Sequence, residues 1–160
     1  MNIDESSIIL AKALQGAKVG DNSQLSIIEQ MKENPIQYCQ SLLHIIKSAE
    51  SLITTALIEL KNIINLKFKT FPPDFIQFLC NEYIALFINI NDPNQLRIMV
   101  PVFIKLYDFF GQNWTDFPSV FNVQTEKMTF QIELLSELLL DLKKNIEFIQ
   151  NNMGIFLNLT

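Results

Sequence analysis

Three side chains in this sequence carry the reactivity that catalysis or metal binding would draw on first: His44, Cys39 and Cys80. His44 is the single histidine, set between Leu43 and Ile45. No serine or cysteine stands at a spacing that would let it act as the general base of a nucleophile. The simpler expectation is a satisfied, partly buried histidine. The two cysteines form no CxxC pair and have no histidine pair nearby, so neither a metal site nor a disulfide framework is expected. They read as buried, reduced thiols of a cytosolic or nuclear protein. The carboxylates fall at helix starts and on polar faces, where the helix dipole and solvation account for them. No glycine-rich phosphate loop and no HExxH motif occurs. The reading is a non-enzyme, with no cofactor and no metal.

The composition points the same way. Of 160 residues, 49% are hydrophobic and 18% charged, which is enough apolar material for a core and unlike a disordered chain. Glycine (4) and proline (6) are too few for a turn-rich all-β design. Twelve basic against seventeen acidic residues give a net charge of −5. That balance disfavours nucleic acid as a partner, which needs a basic surface, and suits basic proteins. The first residues, "MNIDESSIIL", are acidic where a signal peptide is basic. The richest apolar run, "IMVPVFIKLYDFF", holds Lys105 and Asp108 and is short for a bilayer, so no membrane partner is expected.

The elements that position these residues are helical in period almost throughout. A first helix opens at "DESS" and stops near Gly16 to Gly20. A second runs from about Asn22 to Glu33, with Asp21, Asn22 and Ser23 as possible caps and Leu25, Ile28 and Met31 as its apolar face. A third starts at Pro35, with the stripe Cys39, Leu42, Leu43 and Ile46. In the fourth, "ITTALIELKNIINLKF", the stripe is Ile53, Ala56, Leu57, Leu60, Ile63 and Ile64, with Glu59, Lys61 and Asn62 as a polar edge. Pro72 and Pro73 close it and open a fifth, carrying Ile76, Leu79, Cys80, Tyr83, Ile84 and Phe87. After the "NDPN" turn a sixth carries Leu96, Met99, Val100, Phe103, Leu106, Tyr107 and Phe110, with Pro101 expected to kink it. "GQNWTDFPSVFN" reads as a loop.

A long seventh helix is expected from near Thr125 to Asn152. Its stripe of Met128, Ile132, Leu135, Leu139, Leu142, Ile146, Ile149 and Met153 would serve either a coiled-coil seam or, because Leu134, Leu138 and Leu140 widen it, packing within a helical array. Gly154 reads as its stop, before the apolar run of Ile155, Phe156, Leu157 and Leu159.

Helix pairs separated by breaks at a period of about forty residues suggest a HEAT or armadillo-like α-α solenoid. The expectation is a single domain over residues 1–160, of about three helix pairs plus the long C-terminal helix, cut from a longer array. A helical bundle is the competing architecture.

The order of several short motifs resembles the N-terminal domain of the importin-beta family of nuclear transport receptors. The residues that carry it are Leu10, Ala13 and Leu14; then Asn34 and Pro35; then Leu42, Leu43 and Ile46; then Ala56 and the "LKNII" piece, Leu60, Lys61, Asn62, Ile63 and Ile64, followed by Phe68. Downstream, Arg97 and then Asp116, Phe117, Pro118 and Phe121 match an Arg-led helix and an Asp-aromatic-Pro-x-x-aromatic element. The sequence departs from the pattern at Ile53–Thr55, where the family carries an arginine, and at Phe68, where it carries tryptophan.

The resemblance implies a transport receptor shared between nucleus and cytoplasm. Its partners would be the small GTPase Ran in its GTP form, cargo proteins and nucleoporins. Glu29, Glu33, Glu59 and Lys61, on the second and fourth helices, become the candidate Ran contacts. Lys61 and Asn62 serve either as outward ligands or as inter-helix hydrogen bonders. The alternative is a HEAT-like scaffold or adaptor without a GTPase partner.

Overall fold

The computed structural model describes residues 2–122, 125–140 and 150–158, and every regular element in them is helical. In chain order these are α1 (Ile3–Lys18), α2 (Ser23–Met31), α3 (Pro35–Ser48), α4 (Ile53–Lys67), α5 (Pro73–Asn89), α6 (Pro93–Phe110), α7 (Met128–Leu140) and α8 (Met153–Leu157). The protein is all-α, as its periodicity predicts. It divides into two compact units, Met1–Phe75 and Ile76–Thr160.

In the first unit, local sequence decides where each helix starts and stops. Asn2, and not the acidic or hydroxyl residues after it, caps α1 by accepting from the Asp4 N–H. The Ser6 and Ser7 hydroxyls turn back to the carbonyls of Asn2 and Ile3. At the other end, Gly20 takes φ +90°, and the N–H groups of Gly20 and Asp21 return to Ala17 and Gly16. That Schellman-type closure satisfies orphan carbonyls and needs a residue without Cβ. Asp21 starts α2, accepting from the Ser23 N–H at 3.0 Å and the Ser23 hydroxyl at 2.6 Å, while Asn22 makes no side-chain cap. Asn34 caps α3 ahead of Pro35 by accepting from the Gln37 N–H.

The packing follows from the apolar stripes. α1 packs on α2 and α3, and α3 packs on α4. Gly16 permits the α1–α2 approach, because a Cβ there would meet Gln24 Cγ at 2.6 Å. Leu10, Ala13, Leu42, Ala56, Leu60 and Ile64 are fully buried. Each such leucine or isoleucine contributes about 1.5–3 kcal/mol by leaving water. One expected core position fails: Leu25 is 49% exposed, so Ile28 is the anchor of α2. A nine-residue helix buries a narrow face, and Leu25 lies outside it. α4 ends at Lys67, a 3₁₀ turn covers Phe68–Thr70, and Pro73 opens α5, so the double proline is a break.

The second unit is built on rings. Phe103 of α6 meets Tyr83 and Phe87 of α5 edge-on, stacks on Trp114 at 5.7 Å, and touches Phe117 and Phe130. Asp92 caps α6, accepting from the N–H groups of Asn94 and Gln95, and the helix runs through Pro101 to Gly111, which closes it at φ +53°. The segment read as a loop is ordered, with 3₁₀ turns at Gly111–Asn113 and Phe117–Phe121. Phe117 and Phe121 are fully buried, which anchors this segment in the core.

The last helices depart from expectation. Thr125–Lys127 is a 3₁₀ turn, so α7 begins at Met128, and residues 141–149, with Leu142, Ile146 and Ile149 of the expected stripe, lie outside the described residues. The buried face of α7 is Phe130, Gln131, Leu134, Leu135 and Leu138. Ile132 and Leu139, placed on the expected seam, are 44% and 40% exposed. Where apolar residues surround a helix, periodicity alone does not choose the inner side. Gly154 lies inside α8 and is not a stop.

Candidate functional site

Two of the polar residues singled out from sequence, Glu29 and Glu59, meet around Lys32, just past the end of α2. Its ammonium lies 2.9 Å from a Glu29 carboxylate oxygen and 3.3 Å from one of Glu59. Glu59 also accepts a 2.9 Å hydrogen bond from the Tyr38 hydroxyl of α3, whose ring lies 6.0 Å from the Lys32 nitrogen. The cluster thus ties the end of α2 to α3 and α4. It joins two predicted residues, Glu29 and Glu59, through two that the sequence reading missed. The Glu29–Lys32 spacing was the available signal for Lys32. Tyr38 gave none, because its partner lies 21 positions away.

Two groups in this cluster, Lys32 and Tyr38, are shifted from their ordinary pKa values. Burial disfavours the Lys32 ammonium, but the hydrogen bond to Glu29 and the charge of Glu59 outweigh it and hold its pKa above the ordinary value. The Tyr38 phenol is pushed up strongly, first by burial and then by the Glu59 charge. Glu59 is therefore engaged inside the fold, whereas the Glu29 side chain is 71% exposed and keeps most of its carboxylate in water.

The other candidates stand apart. Glu33 is exposed in the turn after α2, and Lys61 is half-buried on α4; neither joins the Lys32 cluster. Asn62 is exposed, so it is not a buried amide serving neighbouring backbone. Leu60 is a core residue at 0% exposure. Asp116 does not cap the turn that follows it with its side chain; its carbonyl accepts from the Ser119 N–H and hydroxyl instead. Arg97 reaches across to α7 and pairs with Glu133 at 2.9 Å.

The reactive residues are also placed. His44 is exposed on α3, contrary to the partly buried histidine expected, and its Nδ1 lies 3.8 Å from an Asp4 oxygen. Cys39 and Cys80 are free and buried, and burial pushes each thiol up to about 12. Among the described residues no group of three or more His, Cys, Asp or Glu converges as metal ligands would, and no helix is long and apolar enough to cross a membrane.

Two buried polar residues escaped the sequence reading. Lys127 is 2% exposed; its ammonium donates to the Phe87 carbonyl and, at 2.9 Å, to the Ile88 carbonyl, in the last turn of α5, with the Phe87 ring 4.6 Å away. Gln131 of α7 donates to the carbonyls of Val120 (2.8 Å) and Asn122 (2.6 Å). No family model matches the sequence, and no curated protein or solved structure matches it either.

Proposed function

We propose that this chain is a helical protein-interaction module whose acidic α2 edge engages a basic protein surface. The observation that carries the proposal is the arrangement of the first unit. α1 with α2, and α3 with α4, form consecutive helix pairs that meet through α1 and α3, and Glu29 and Glu33 stay exposed at the end of α2. A HEAT-like array stacks pairs in this way and presents its second helices to partners. The resemblance in motif order then makes Ran in its GTP form the partner of choice, with cargo proteins and nucleoporins as further partners and traffic between nucleus and cytoplasm as the setting. The acidic chain suits that electrostatic pairing.

Glu29 and Glu33 are the leading contacts. Glu59 supports them from behind by fixing Lys32, and half-buried Lys61 is a secondary contact. The engagement of Glu59 by Tyr38 and Lys32 favours a second reading, a scaffold of the same architecture with no GTPase partner. Calorimetric titration separates the two. The receptor reading expects binding to Ran loaded with a non-hydrolysable GTP analogue and much weaker binding to the GDP form. Equal affinity for both forms, or for neither, leaves the scaffold.

A further inference from the structure

The first unit holds a cavity of about 400 Å3, set among α1, α2 and α3, which shares the Tyr38 ring with the Lys32 cluster but is lined by none of that cluster's charged residues. Ile9, Ile27, Met31 and Tyr38 form apolar walls, and no charged side chain lines it. Its polar groups are Ser6, Gln30, Asn34 and Gln37. Three of these are locked together: Asn34 accepts from the Gln37 N–H and donates to its side-chain oxygen, and the Gln37 amide donates to the Ser6 hydroxyl at 2.9 Å. The fourth, Gln30, is exposed, and its side chain makes no hydrogen bond among the described residues, so its carboxamide offers a donor and an acceptor side by side.

The walls of the concavity are held together by direct contacts. Gly16 lets α1 and α2 approach closely, and the Ser6–Gln37 bond ties α1 to α3. Its volume falls in the range of small-molecule sites, which are mostly apolar with a few placed polar groups. Ile9 is 39% exposed beside it, leaving apolar surface that an occupant would cover. A charged ligand would have to lose its hydration against walls that offer no counter-charge. We propose that this cavity is a binding site for an uncharged, mainly aliphatic ligand bearing a single carboxamide, with the aliphatic part against Ile9, Ile27 and Met31 and the amide paired with Gln30.

The probe is hexanamide, titrated into the full chain and followed by the methyl resonances of Met31, Ile9 and Ile27. A ligand of this size should saturate with a Kd on the order of 10 mM or tighter. The expected result is saturable shifts confined to these methyls, with hexanoate and hexylammonium giving none at the same concentrations. Gln30→Ala, a surface change, should weaken hexanamide binding about threefold or more. Ile27→Trp, which fills the space, should abolish it. No saturable shift, equal response to the charged analogues, or undiminished binding by Gln30→Ala would overturn the proposal, and the last of these stands even if Ile27→Trp fails to fold.

Discussion

The two units solve the same packing problem with different materials. Met1–Phe75 is aliphatic: leucine and isoleucine stripes from successive helices fill it, and Tyr38 is its one large buried ring apart from Phe71 and Phe75 near its end. Ile76–Thr160 is aromatic, with Tyr83, Phe87, Phe103, Tyr107, Trp114, Phe117, Phe121 and Phe130 all buried. The difference extends to the backbone. Helices in the first unit are joined by short connections, among them the three-residue 3₁₀ turn at Glu50–Leu52 between α3 and α4. The second unit carries the 3₁₀ segments between α6 and α7, whose buried carbonyls have fewer regular partners. Gln131 supplies donors there, and Lys127 does so at the end of α5. The long irregular connection is thus accompanied by the buried amide of Gln131, whereas the buried serines Ser6 and Ser7 of the first unit return to carbonyls at the start of their own helix.

The largest expected effect tests the aromatic hub. Phe103→Ala should destabilise the protein by about 3–5 kcal/mol, since a ring that touches five others leaves a cavity that rigid neighbours fill poorly. Denaturant unfolding followed by Trp114, the single tryptophan, reads this in the second unit. Leu60→Ala in the first unit should cost about 2–5 kcal/mol, near the lower end because aliphatic neighbours relax into the space. A Leu60→Ala loss exceeding that of Phe103→Ala would reverse the comparison.

The polar anchors come next. Lys127→Met keeps the stem and removes the donor, leaving the Phe87 and Ile88 carbonyls short of a partner, and should cost about 1–3 kcal/mol. An unchanged midpoint would mean that these carbonyls are satisfied without it. In the first unit Tyr38→Phe should cost about 1 kcal/mol, by loss of the bond to Glu59.

The same two clusters respond oppositely to alkali. Tyr38 and Lys32 are raised above their ordinary values of 10.0 and 10.5, so the stability they lend is whole below about pH 10 and is lost as pH rises through their folded values. Lys127 is lowered from 10.5, mainly by burial, so its charged form carries a cost at neutral pH. That cost fades as pH climbs from its folded value toward 10.5. In thermal melts between pH 8 and pH 11, wild type should lose more stability than Tyr38→Phe. Lys127→Met should lose more than wild type, since it lacks the compensating gain. Parallel curves for all three would remove both assignments.

Much of the fold was legible because helix ends are local. Asn34 with Pro35, Asp92 with Pro93, and Pro72 with Pro73 each mark a start in adjacent residues, and the structure uses all three as starts. What depends on distant partners was not legible. Ile132 and Leu139 fit a seven-residue repeat, but α7 is apolar on several sides and tertiary contact selects the face through Phe130 and Leu134. Lys127 looks like a surface lysine until the end of α5 is brought to it, 40 positions away in sequence. For the candidate site, Glu29 and Glu59 were named, but the lysine and tyrosine that organise them were not. Glu59 reads as a surface carboxylate in sequence and is an internal acceptor in the fold.

That distinction gives the functional account its sharpest test. Glu29→Lys with Glu33→Lys should lower thermal stability by about 1 kcal/mol or less per site, because both residues are exposed and Glu29 gives up only a surface ion pair with Lys32. The decisive measurement is calorimetric binding of this double variant and of wild type to Ran carrying a non-hydrolysable GTP analogue. The account predicts measurable wild-type affinity, lost in the double variant while the helical signal is unchanged. Equal binding by both proteins would contradict an acidic α2 edge as the recognition surface, and so would no binding by either.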